Sequence, residues 1–150
     1  MKFPDMPYKR PDYSQVYRDL EALTARLKAA QTAPEQVAVY KEQEQLLSHV
    51  STQATICSIR NTVDTRDAFY EAEQAYHDEQ APLLEEKLQA FHKALVESPL
   101  RPELEKELGS LLFLNLEMEL KSFSPEIIPL MQEENKLTTE YQKLYASARV

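Results

Sequence analysis

An all-α fold is predicted by three features of the sequence. A single glycine, Gly109, occurs in 150 residues, far below the usual share of about 7%, so turns that depend on positive φ have almost nowhere to form. Glu, Gln, Lys, Leu and Ala supply much of the remainder, and all favour helix. Apolar residues recur at steps of three and four along most of the chain, the period of a helix with one buried stripe. With 43% apolar residues, the chain can bury a real core in one domain. The expectation is a single helical domain over 1–150, with residues 1–11 as an extended lead-in. It should be an antiparallel bundle of about five long helices, one of them kinked at a proline.

Taken in order, Met1 to Pro11 holds Pro4, Pro7 and Pro11 and is expected to be extended, with Phe3 and Tyr8 available for packing. Asp12 caps a first helix whose stripe is Tyr13, Val16, Leu20, Leu23, Leu27 and Ala30. Thr32 and Glu35 form a capping box with Pro34 in the first turn, opening a second helix. The short connection folds the two into a hairpin. The second helix reads as half exposed around Gln43, Glu44 and Gln45, and as sandwiched from Leu46 to Ile59.

Between Ser58 and Gln74 lies a break built without Gly or Pro. Thr62, Val63 and Thr65 weaken helix there, and Asp64, Thr65 and Asp67 can cap the next one. That third helix, Asp67 to Glu97, keeps its stripe in phase across Pro82, which predicts a kink. Ser98 to Pro102 turns the chain again. Leu111 to Met118 is apolar nearly all round, so it is central to the core or offers a second face to something outside this chain. Ser124 and Pro125 begin a last helix, with Ile127, Leu130, Leu137, Tyr141, Leu144 and Ala148 on one stripe.

Charge and motifs narrow the function by exclusion. A net charge of -8 and no Lys/Arg cluster argue against nucleic acid and against anionic lipid. The amino terminus has no apolar run of signal-peptide type, and no stretch reaches the ~20 apolar residues of a membrane span; a cytoplasmic location is expected. Cys57 is the only cysteine and reads as a buried small residue. A helical zinc site needs two histidines one turn apart with a glutamate beside the first. His49, His77 and His92 have no such partners. A di-metal carboxylate site needs Glu three residues before His, but Leu46, Gln74 and Gln89 stand there. The acidic run Glu71, Glu73, Asp78, Glu79 reads as a solvated helix face.

Arg60 to Gln74, together with FSPEIIPLMQEENKLTTEYQKL from Phe123 to Leu144, resembles the N-terminal region of the oligoendopeptidase F family, zinc metallopeptidases related to thimet oligopeptidase. The resemblance runs from PYKRPD to Val150. It implies a helical wall beside a channel that admits short peptides, in a polypeptide whose other half carries HExxH and the zinc. HExxH is absent here, so the resemblance transfers no catalytic or metal-binding residue, and no cofactor is expected in this chain. Arg60, Asp64, Arg66 and Tyr70 are the candidates for facing the channel or docking the catalytic half; Arg60 and Asp64 could instead pair with each other around the break. The partners expected are the catalytic half, a second copy through apolar surface such as Leu111 to Met118, or short peptides. An independent helical interaction module that keeps the family fold is the alternative reading.

Overall fold

The computed structural model describes residues 2–147. Six α-helices follow one another among them, α1 (Tyr13–Ala29), α2 (Ala33–Val63), α3 (Ala68–Val96), α4 (Arg101–Leu108), α5 (Ser110–Ser122) and α6 (Ile128–Ser147), with 3-10 turns at Phe3–Asp5 and Pro125–Ile127. The all-α bundle is as expected. Ala148, which the sequence assigns to the last stripe, lies outside the described residues.

The caps fall where the side chains dictate. Asp12 accepts from the Gln15 amide at 3.1 Å, and Thr32 and Glu35 close the reciprocal capping box that opens α2, each cap supplying an acceptor to an amide that has no helical partner. At the elbow, Asp64 accepts from the Arg66 amide at 3.1 Å and Asp67 from Phe69 at 2.9 Å, so side chains make the turn that glycine makes elsewhere.

Packing centres on α1, α2 and α3, with α4 and α5 closing one end. Leu23, Leu27, Phe91, Leu95, Leu104 and Phe113 form one buried cluster; Tyr13, Val16, Leu20 and Val50 form a second. Burying a side chain of this size contributes about 1.5–3 kcal/mol, so the stripe of α1 is a principal source of stability. The first half of α2 is more buried than its polar residues predict. Gln36 is only 4% exposed and is paired at both ends of its side-chain amide: Nε2 donates to Leu27 O at 3.1 Å, and Oε1 accepts from Ser98 at 2.7 Å.

Other elements differ from expectation too. Gly109, at φ 88°, separates α4 from α5, which gives six helices among the described residues where about five long ones were expected; positive φ is open to Gly and strained for other residues. Ser124 makes no side-chain cap, and Pro125 begins a 3-10 turn before α6, since Pro129 withholds a second amide from the first turn. The stripe of α6 does not join the core: Leu130, Leu137, Tyr141 and Leu144 are 58% to 70% exposed.

Pro82 explains how α6 is held. It lies inside α3, which continues on both sides of it. Having no N–H, Pro82 leaves the Asp78 carbonyl without its helical donor. That carbonyl accepts from Asn135 Nδ2 at 3.2 Å, and the next one, Glu79 O, from Gln132 Nε2 at 2.8 Å. Thr139 adds a bond to the Asp78 carboxylate at 2.7 Å, and Lys143 pairs with Glu71. Residues 132, 135, 139 and 143 follow helical spacing, so a polar stripe docks α6 and its apolar stripe is turned outward.

Candidate functional site

Two regions carry the chemistry of the surface: the lead-in strap where it crosses α2 and α3, and the outer faces of α5 and α6. In the strap, the Lys9 amide donates to Gln53 Oε1 at 2.8 Å. Arg10 forms a bidentate pair with Glu73 and lies 4.6 Å over the Tyr76 ring. Tyr8 donates to Glu73 Oε2 at 2.6 Å and meets His77 Nε2 at 3.1 Å, while Tyr13 meets His77 Nδ1 at 2.8 Å. Edge-on aromatic contacts from Tyr8 to Phe69, Tyr70 and His77 complete the packing.

Burial and charge shape the acidity of this cluster. The Arg10 guanidinium and the Tyr8 hydroxyl hold the Glu73 carboxyl below the usual range, against the upward push of burial. Desolvation pulls His77 below its ordinary value, with Glu73 and Asp78 opposing. Burial pushes the Tyr8 and Tyr13 hydroxyls up and the Cys57 thiol up to about 11, so this thiol stays protonated and is a poor nucleophile.

The four candidates from the sequence divide in two. Arg60 donates to the Tyr70 hydroxyl and to Met6 O, and its guanidinium lies 5.4 Å from the Tyr70 ring centre; this pair grips the strap. Asp64 and Arg66 stand 3.7 Å apart at the exposed tip of the elbow, with the Arg66 side chain 93% exposed. Sequence reasoning missed Tyr8, Arg10, Gln53, Glu73 and His77. Glu73 is 3% exposed, contrary to its reading as part of a solvated face. It is four residues before His77 and so on the same side of α3; that spacing, with Tyr8 and Arg10 in the strap, was the available signal.

The histidines do not fit a zinc site. Both ring nitrogens of His77 meet tyrosine hydroxyls, His49 is exposed on α2, and His92 is buried with Nδ1 3.5 Å from Glu119 and no hydrogen bond made. Among the described residues, no three His, Cys, Asp or Glu side chains are grouped to hold a metal ion.

On the outer side, α3 and α6 flank a groove of about 530 Å³ lined by Asn61, Glu71, Asp78, Glu79, Lys136 and Lys143 among others. Beyond it run the exposed stripe of α6 and, on α5, Leu111, Leu114 and Met118 at 54% to 67% exposure. The apolar run in α5 therefore serves both sides: Phe113 and Leu116 are buried and Leu112 packs half-buried against the same core, while Leu111, Leu114 and Met118 face outward.

Fold and site define a helical bundle domain with polar anchors inside and apolar faces outside. Residues 3–123 match the family model described as the Peptidase M3 N-terminal domain, and the chain belongs to that family. It is similar in structure to PZ peptidase A, solved with an inhibitor, at TM-score 0.95 and 42% identity, covering 99% of this chain and 26% of that one. A structure described as an oligoendopeptidase F gives TM-score 0.95 and 39% identity, covering 100% of this chain and 26% of that one. Another, from Bacillus anthracis str. Ames, gives 0.90 and 35%, covering 94% and 26%. The chain thus spans about a quarter of the length of these relatives. No curated protein matches it. No helix of the described residues is long and apolar enough to cross a membrane.

Proposed function

We propose that this chain is the non-catalytic N-terminal domain of an oligoendopeptidase F-like zinc metalloendopeptidase, and that it forms one wall of a channel restricted to short peptides. The observation that carries this reading is the outward apolar stripe of α6 in a chain that matches 26% of its relatives' length. Exposed apolar rows of this size mark surfaces that another body covers. The remaining part of the polypeptide is that body, and zinc and the catalytic base belong to it. The elbow tip, with Asp64 and Arg66, faces the channel or the catalytic half, while Arg60 and Tyr70 hold its shape. The expected working compartment is the cytoplasm.

The test uses the chain alone and the chain joined to its downstream polypeptide. Alone, with zinc added, it should neither cleave a fluorogenic peptide nor gain thermal stability; hydrolysis by the pure chain would overturn the reading. In the joined protein, Leu137→Glu with Leu144→Glu should lower peptidase activity at least tenfold. A reading frame that stops at Val150, with no HExxH-bearing polypeptide that binds, would favour the independent interaction module instead.

A further inference from the structure

The hydrogens of the strap cluster can be placed by elimination. Tyr8 has one hydroxyl hydrogen, and Glu73, an ionised carboxylate, can only accept, so the 2.6 Å contact takes that hydrogen. Toward His77 Nε2, at 3.1 Å, the Tyr8 oxygen must therefore accept, and Nε2 carries the ring proton. A neutral imidazole then leaves Nδ1 bare, and it takes the Tyr13 hydroxyl hydrogen across 2.8 Å. The chain Tyr13–His77–Tyr8–Glu73 links α1, α3 and the strap through one imidazole with a defined tautomer.

We propose that His77 is an acid-released latch for the N-terminal strap: with a proton on Nε2 alone it holds residues 2–12 against α2 and α3, and a second proton on Nδ1 lets them go. The second proton comes from solvent. Once Nδ1 donates, the Tyr13 hydroxyl can only accept there, and its own hydrogen loses its acceptor in a site 2% exposed, a position where an unmade hydrogen bond is costly. The groups around the ring have opposing effects. Arg10 from the strap disfavours the cation; Glu73 and Asp78 from α3 favour it, and burial outweighs them. Tyr8 from the strap, Tyr13 and Tyr17 from α1 and Cys57 from α2 are all pushed upward in pKa, and Glu73 downward, so none of these changes charge near neutrality. Tyr76 packs against the ring from α3, and Thr139 of α6 holds Asp78.

The strap amide of Lys9, bonded to Gln53, reports the latch. In the 150-residue chain, nitrogen-resolved NMR of His77 at pH 7.5 should show a protonated Nε2 and a bare Nδ1. Hydrogen-exchange protection of Lys9, corrected for intrinsic rates, should drop at least tenfold between pH 7.5 and 5, while amides of mid-α2 keep theirs. His77→Gln keeps a donor and an acceptor but does not titrate, and should hold Lys9 protection constant over that range. His77→Asn is a second non-titrating variant that should likewise hold Lys9 protection constant, and it serves if the Gln variant fails to fold. A protonated Nδ1 at pH 7.5, or Lys9 protection that does not change with pH in the parent chain, would overturn the proposal; so would an equal pH response in either variant. These outcomes are independent of the peptidase reading.

Discussion

In α1, Tyr13, Val16, Leu20, Leu23 and Leu27 are all buried; in α6, Leu130, Leu137, Tyr141 and Leu144 keep comparable helical spacing and are 58% to 70% exposed. The two patterns are equally good as amphipathic stripes. What separates them is the opposite face. The outward residues of α1, such as Arg18 and Glu21, reach solvent or long surface pairs. Those of α6 find a row of carbonyls and carboxylates on α3. Periodicity thus predicts which residues share a side of a helix, and the neighbour's chemistry decides which side turns inward.

Mutations can sharpen that contrast. The largest effect is expected for Leu20→Ala, at 0% exposure: a cavity in a packed core costs about 2–5 kcal/mol, read as a lower denaturant midpoint. Leu137→Ala in the same chain should stay within about 0.5 kcal/mol, as exposed substitutions do; an equal loss would mean that the α6 stripe is buried in solution.

Acid should act next, on the buried side. Burial pushes His92 down from 6.5 to about 4, so the folded state binds this proton less tightly than the unfolded one. Its stabilising contribution is complete above pH 6.5 and is lost as pH falls toward 4, by roughly 3 kcal/mol at about 1.4 per pKa unit. His92→Gln should flatten most of that slope in pH-dependent melts, and an unchanged slope would place the titration elsewhere.

Smaller effects belong to the polar docking of α6. Asn135→Ala removes the donor to the Asp78 carbonyl and should cost about 1 kcal/mol, with hydrogen exchange accelerated in α6 and unchanged in α1. Lys143→Met, which breaks an ion pair at partly exposed side chains, should cost no more than about 0.5–1 kcal/mol and fade with added salt.

Much of the fold was legible because it rests on local chemistry: the Asp12 cap, the Thr32 and Glu35 box and the Asp67 cap all depend on side chains within four residues. The buried cluster around His77 was not. Its members come from the strap, α1, α2 and α3, and joining them requires knowing that residues 8 and 73 are neighbours. Glu73 was read by type, as a charged residue on a polar run, whereas its burial depends on Arg10, 63 positions away. What Arg60 grips was illegible, because the backbone at Met6 has no side-chain signature.

The missing amide at Pro82 also bears on where this protein can be cut. The family model ends at residue 123, before α6 begins. A polypeptide trimmed to that limit would leave the Asp78 and Glu79 carbonyls to water and uncover the flank of α3. It should express as a looser, more protease-sensitive species than one carried through Lys143.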